Sequence, residues 1–546
     1  MCAQRSIILR GGLHAAVLVL ALMAAFIAPA FAADWLTYHH GPERHNATSE
    51  EFTSPLSLVW RYTTAPSNER VPPVVTADRV FVAAGTHVYA LEQATGARIW
   101  DYDAKADIRG APTFADGRLI FGVETGKAIC LNAADGKEAW TVTTVRPVRG
   151  APAVVAGVAY IGSLDRRVFA VDAATGALKW SVQLTDEVWG APAVLDNRVF
   201  LATADAQVFG LDIADGRTRQ QITIPQRRAV LNPVVVTEDA IYVAGRSDLH
   251  AYSRRGTERW GLDYGVFLCG APALSGDRLF VSLVDGRMYA LDTAKGKTLW
   301  QFDFNSAMSS PPTVAGDVVI AGAIGGMVYA LDAATGKPRW RYDGRPPGIA
   351  AGSTTGFNLV ASPVYANNSL YLIWDDGDLA RFDRNAPDVV PPTIRLLTPA
   401  ENTVTGTKLP KTIGAQVFDE ESGLDVYSLK MTFDDKPVEA TYDPYTGYFT
   451  YAITDKSPLA PLKTGWHTIS VSARDQRGNA VSKAWRFVAQ PGAEAWEQQQ
   501  PTQPAQPTPV QPGQPGYGLP PETAPTPQPG EPGVLPGGSP AMPPAL

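Results

Sequence analysis

The sequence predicts an all-β chain: an eight-bladed β-propeller closed by a strand from its N-terminal side, then a β-sandwich, then a tail that does not fold. Tryptophan stands at 60, 100, 140, 180, 260, 300 and 340, a period of 40 residues with Gln220 in the one vacant slot. Self-similarity at such a period is the mark of a repeat architecture. A second marker, Gly-Ala-Pro, follows about twelve residues after the tryptophan at 110–112, 150–152, 190–192 and 270–272. Finally, the chain from Gln490 onward holds 17 of the 45 prolines and no lysine or arginine.

Residues 1–32 read as a signal peptide: Arg5 and Arg10 precede an apolar run from Ala15 to Ala28, and Ala30-Phe31-Ala32 gives a small-x-small cleavage site. The run is shorter than the ~20 residues a spanning helix needs, so no transmembrane segment is expected after cleavage. Cys2 lies inside the segment to be removed, and no cysteine follows the cleavage site to take a lipid. The expected location is therefore periplasmic or extracellular, without a lipid anchor. Cys130 and Cys269 are then too few for a disulfide framework and have no metal-ligand spacing. The seven histidines are scattered, and His87 and His250 read as strand residues rather than ligands. A formal net charge of -7 shows no basic excess, which excludes nucleic acid as an expected partner.

The propeller spans 33–384. Each unit has short β-branched runs, such as Val158-Ala159-Tyr160-Ile161 and Val168-Phe169-Ala170-Val171, and a turn of the form Asp-x-x-Thr/Asp-Gly before the tryptophan. Asp172 to Gly176 and Asp332 to Gly336 are examples, with glycine supplying the positive φ of a tight hairpin. Four short strands per unit make a blade. Looser proline markers end at Pro73, Pro233, Pro312 and Pro363, giving eight first strands. The unit after Pro363 has no tryptophan strand, and Trp60 has no unit, so Leu58 to Tyr62 is expected to complete the last blade.

The repeated Ala-x-Asp-x-x-Thr-Gly-x-x-x-Trp and Gly-Ala-Pro phrases resemble the pyrroloquinoline-quinone-like (PQQ-like) propeller repeat, as does the opening segment Asp34-Trp35-Leu36-Thr37-Tyr38. The resemblance implies that Trp60, Trp100, Trp140, Trp180, Trp260, Trp300 and Trp340 dock each blade on the next, and that Gln220 marks a weaker or differently packed joint. Burying an indole removes roughly 150–250 Å² from water, which agrees with that role.

A linker at 385–392 leads to the sandwich at 393–489, with strand-like runs at 413–418, 426–433, 448–453, 466–473 and 483–488 and a turn at 443–447. Phe418 to Gly423 and Ala473 to Asn479 resemble phrases of bacterial immunoglobulin-like domains. Asp419, Glu421, Asp425 and Asp475 are the calcium-ligand candidates, although such acids more often shape solvated turns. Residues 490–546 are read as disordered, a flexible spacer with one x-Pro spacing at Pro501-Thr502-Gln503-Pro504 suited to a partner groove.

The resemblance covers both enzymes and binders. In quinoprotein dehydrogenases a vicinal disulfide covers the quinone, and calcium and an aspartate base complete the site; no Cys-Cys pair exists here. Asp165, Asp205, Asp248 and Asp285 recur at the repeat period, which turn chemistry explains better than catalysis. The reading favours an exported, non-catalytic binding or scaffold protein with a protein partner in the cell envelope. BamB-like propellers of outer-membrane protein assembly are its analogue of fold. No catalytic residue and no cofactor are assigned; the alternative is a PQQ- and calcium-dependent dehydrogenase lacking the disulfide. The candidate site is the loop face before Gly-Ala-Pro, where Arg109, Arg149, Trp189 and Cys269 vary at one repeated position. Arg109, Arg149 and Trp189 there offer a fork for carboxylate or phosphate and a stacking plane. A longer loop ahead of Pro363, including residues 348–356, offers a lid on that face; the alternative is that the arginines pair with neighbouring blade-turn acids and the loop is a tolerated insertion.

Overall fold

The computed structural model of the chain describes residues 34–490 except 66–70, 226–229, 345–357, 406–409, 444–445, 455–456 and 458–462. The expected signal peptide, the proline-rich tail and the expected lid lie outside the described residues. No helix among the described residues is long and apolar enough to cross a membrane.

The unit is a four-stranded antiparallel sheet of the kind that forms propeller blades. In the third, Ala153–Val155, Val158–Gly162, Arg167–Asp172 and Leu178–Gln183 pair in that order. The second strand is almost wholly buried and the fourth has no buried residue, so burial falls outward along the sheet. The turn between the last two strands shows why its sequence recurs. Asp172 Oδ1 accepts the amides of Ala174 and Thr175, each at 3.1 Å, and the Thr175 hydroxyl at 3.0 Å, while Gly176 takes φ 74°.

Eight such sheets follow one another between residues 57 and 383. Strand Ser57–Thr63 pairs antiparallel with Asp378–Asp383, Ser57 opposite Asp383 and Thr63 opposite Asp378, so the N-terminal strand completes the last sheet as expected. Neighbouring sheets are joined by a repeated device. The indole N–H of Trp60, Trp100, Trp140, Trp180, Trp260 and Trp300 donates to the carbonyl 33 residues later, at 2.9–3.1 Å. The ring also lies on the turn glycine of the next sheet: a Cβ on Gly96 would stand 2.7 Å from Trp60, and one on Gly336 2.8 Å from Trp300. Glycine there is required twice, for its positive φ and for the indole above it. Trp60 thus docks the last sheet on the first, and the two share a core of Val75, Val80, Leu91, Val364, Tyr371 and Leu379.

Two joints depart from the pattern. Trp340 is buried but its indole N–H has no hydrogen-bond partner among the described residues. At Gln220 the indole is replaced from the other side: the Arg254 guanidinium lies 4.6 Å over the Phe200 ring and pairs with Asp196 at 3.0 Å. The equivalent ring of the sixth sheet, Phe280, packs on Trp300 instead.

The segment between Trp35 and Thr53 reaches the first strand of the sheets in turn. Trp35 bridges Val75, and carbonyls of Leu36, Pro42, Glu43, His45 and Asn46 accept amides of Phe114, Val194, Val236, Leu274 and Val314. Ala47–Thr48 adds a parallel fifth strand beside Thr313–Ala315, and the Tyr365 hydroxyl donates to the Glu51 carbonyl at 3.1 Å. Arg44 is fully buried and serves the third and fourth sheets. Its five N–H groups go to Pro192 O, Thr37 Oγ1, Tyr38 O, Ala151 O and Pro152 O.

After the eighth sheet come two more. One orders Thr393–Thr398, Thr412–Phe418, Tyr448–Ala452 and Thr441–Tyr442; the other orders Val404–Thr405, Ala480–Ala489, Gly465–Asp475, Leu424–Phe433 and Lys436–Val438. They face each other across one apolar core that includes Ile413, Val417, Ile469, Val471, Trp485 and Phe487. All five strand-like runs read from the sequence are strands here, and part of the 443–447 turn lies outside the described residues.

Candidate functional site

The loops leading into the first strands of the second, third and fourth sheets bring Arg109, Arg149 and Trp189 together around Glu124, a blade-turn acid of the kind the alternative expects but one that the sequence reading did not name. Arg149 grips Glu124 with two bonds of 2.7 Å, Nε to Oε1 and Nη2 to Oε2. Its guanidinium lies 4.5 Å over the Trp189 ring. Arg109 approaches the same carboxylate at 3.6 Å and is the more exposed arginine, 40% against 25%. The Trp189 indole donates to Glu187 at 3.0 Å, and Glu187 also holds Arg146 at 2.6 Å. The result is a continuous row, Arg109, Glu124, Arg149, Trp189, Glu187 and Arg146. Beside it lies a cleft of about 410 Å³ lined in part by Val145, Leu164, Arg166 and Asp186, with Val145 87% exposed at its rim.

Glu124 was findable. At the 40-residue period its counterparts are Leu164, Ala204, Val284 and Ile324, so a charge there breaks the repeat as the loop arginines do. Cys269, which shares the variable position, is fully buried and adds nothing to the exposed row. The aspartates of the repeat serve turns: Asp165 and Asp285 each accept the amide two residues on, and Asp205 accepts the Thr203 hydroxyl. His250 sits between Asp248 at 3.2 Å and Glu258 at 2.8 Å, and these carboxylates outweigh its burial and raise its pKa.

The arrangement does not fit a planar polycarboxylate such as PQQ. The fork and the stacking plane that would receive it occupy each other, with Glu124 in the fork and the guanidinium on the indole. Cys130 lies in the third strand of the second sheet and Cys269 ahead of the sixth, both buried and not joined in a disulfide.

The acids of the second region separate into two groups. Asp419 and Asp475 come together with Asp388, a residue of the linker, and donor oxygens of the three lie within 4.8 Å of one another. Burial, reinforced by Asp388 and Asp475, pushes Asp419 up to about 7; Glu421 is also raised, by partial burial and by Asp388. Asp425 stands apart, capping the Tyr427 amide at 3.1 Å.

Among solved structures the chain is similar to BamB from Moraxella catarrhalis, at 19% identity and a TM-score of 0.50, covering 60% of this chain and 99% of that one. It is likewise similar to the quinohemoprotein alcohol dehydrogenase of Comamonas testosteroni, at 17% identity and a TM-score of 0.55, covering 69% and 83%. A computationally designed protein, Ika8, matches at 16% identity and a TM-score of 0.51, covering 59% and 98%. Identities this low carry the β-propeller fold alone. No curated protein matches the chain by sequence. The family model described as outer membrane protein assembly factor BamB matches residues 57–145, 124–260 and 245–389, and with more than half of the chain covered, this protein belongs to that family of PQQ-like repeat propellers.

Proposed function

We propose that this is an exported, non-catalytic binding or scaffold protein of the cell envelope, acting on a protein partner through the loop face of Arg109, Arg149 and Trp189. The eight sheets close into one eight-bladed ring in this reading. A segment of about 20 residues spans at most ~70 Å even when extended, yet the segment at 34–53 reaches the first strands of seven of the eight sheets and, through Arg44, Pro152 just ahead of the third, which supports first strands standing around a common axis. The two later sheets form an immunoglobulin-like sandwich at 393–489, and residues 1–32 direct export. The family description supplies the analogy to envelope protein assembly, an analogy of fold.

The observation that carries the reading is the alternating row on the loop face. Its arginines already hold carboxylates, which makes them weak receptors for a small anion. A pre-ordered surface of arginine and tryptophan beside an exposed valine and a cleft suits a protein segment, since Trp and Arg dominate the energetics of such interfaces. The test is crosslinking and affinity capture from the envelope fraction with wild type and an Arg109→Ala, Arg149→Ala, Trp189→Ala variant. The variant should keep its folded far-ultraviolet spectrum and a cooperative transition while losing the captured protein at least tenfold. Undiminished capture by the folded variant would place the functional surface elsewhere.

A further inference from the structure

Three carboxylates are buried together where the linker meets the two later sheets. Asp388, Asp419 and Asp475 are 7%, 5% and 2% exposed, and their donor oxygens fall within 4.8 Å of one another. Among the described residues no lysine or arginine pairs with any of them. Of the two arginines nearest in sequence, Arg474 is exposed, and Arg477 sends its guanidinium to Ser57 Oγ, Arg384 O and Ala386 O. Backbone amides, and the Asn479 side chain at 2.6 Å from Asp475, donate to these carboxylates, but no positive charge offsets theirs, and burying three acids side by side without one is costly.

A second observation points to the cation. The Ser422 hydroxyl is fully buried and has no hydrogen-bond partner. Ser422 is held in the cluster from both sides: its own amide donates to Asp388 Oδ2 at 3.1 Å, and the amides of Glu421 and Gly423 donate to Asp419 Oδ1 at 3.2 and 2.7 Å. Its unpaired hydroxyl is therefore buried on the turn that Asp388 and Asp419 hold together. The donor set is oxygen only, which selects a hard divalent cation over zinc. Oxygens on opposite sides of one calcium ion, at roughly 2.3–2.6 Å each, stand about 5 Å apart, so the separation found here is what one ion spans.

We infer that Asp388, Asp419 and Asp475, with the Ser422 hydroxyl, form a calcium site. Asp388 comes from the linker, Asp419 from the turn after Phe418 and Asp475 from the turn before Ala480, so a bound ion ties three separate stretches. Two of them also touch the propeller. Glu421 O accepts the Leu58 amide at 3.1 Å, Glu420 O accepts the Tyr342 hydroxyl at 2.7 Å, and Arg477 reaches Ser57. Calcium therefore fixes the later sheets on the propeller, through a junction that loosens when the ion is withdrawn.

The test uses the full chain after chelator treatment. Calcium titrated by calorimetry should bind one site with a midpoint on the order of 10⁻⁴–10⁻³ M, the range of extracellular modules, and raise the unfolding temperature by several degrees. Magnesium at the same concentration should do much less. Hydrogen exchange of the wild type should show calcium-induced protection confined to the backbone around 388–390, 419–423 and 475–479. Asp419→Asn with Asp475→Asn should weaken binding at least tenfold. Absence of binding and of any thermal shift at about ten times that concentration overturns the site. Protection elsewhere, or full affinity in the double variant, overturns its placement and the inference with it.

Discussion

His39 is a fully buried imidazole with no hydrogen bond to either ring nitrogen, stacked on Tyr38 at 3.9 Å. Burial, with the Arg44 charge adding to it, lowers its pKa from 6.5 to about 3. Below pH 6.5 the unfolded chain takes up a proton that the folded chain refuses until about pH 3, so stability falls as pH drops through that window. The slope approaches about 1.4 kcal/mol per pH unit. We expect His39→Phe, which keeps a ring against Tyr38, to flatten the acid limb by that slope between pH 6 and about 4.5. Denaturant midpoints of both proteins across this range check it, and parallel limbs would show that His39 does not titrate on unfolding. Little of this was legible in the sequence. His39, His40, Arg44 and Asn46 all adopt positive φ, from 53° to 69°, without a glycine to signal it. The bonds that set the segment's path use backbone carbonyls, which leave no residue pattern.

At the scale of the element, the sheet joint is the most readable feature of the chain, because tryptophan, glycine and the 33-residue hydrogen bond all repeat. Its exception is readable too. Six of the seven turns carry alanine where the fifth sheet has Arg254: Ala94, Ala134, Ala174, Ala214, Ala294 and Ala334. That departure falls in the same joint as Gln220, and the structure explains the pairing, since the Arg254 guanidinium covers the ring an indole would otherwise cover. Arg254→Ala alone should cost about 1 kcal/mol or more, from the lost cation–π contact and packing. Gln220→Trp alone should gain nothing, because arginine holds the space. The double variant rebuilds the ordinary joint, with a favourable coupling of about 1–3 kcal/mol. Additive effects in a double-mutant cycle by denaturant unfolding would refute this exchange. The candidate site was readable on the same principle: Arg109, Arg149, Trp189 and Glu124 are all breaks in the period. Asp388 was not, because it sits in a linker that has no repeat to break.

At the scale of the whole molecule, the question is how independent the last two sheets are from the propeller. Their core is their own, with Ile394, Met431, Phe433, Trp485 and Phe487 contributed from within 393–489. About 100 residues in two facing sheets suffice for a cooperative domain. The junction is instead polar. Besides the Leu58, Tyr342 and Arg477 bonds it includes the Arg341 guanidinium, 5.2 Å over the Tyr442 ring. Arg477 makes the most contacts, reaching Ser57 of the propeller strand and the carbonyls of Arg384 and Ala386. Polar interfaces of this kind resemble transient ones and couple folding weakly. Residues 391–489 should therefore unfold cooperatively alone in chelator, with a lower midpoint than the same sheets have in the full chain. Arg477→Ala in the full chain should lower that midpoint toward the isolated value, by about 1–3 kcal/mol, and leave the propeller transition unmoved. Calorimetry with near-ultraviolet dichroism of Trp466 and Trp485 in the isolated segment follows the sheets directly. A segment without a cooperative transition would mean that the sheets need the propeller to fold. An Arg477→Ala chain with an unshifted profile would mean that the polar junction does not hold them.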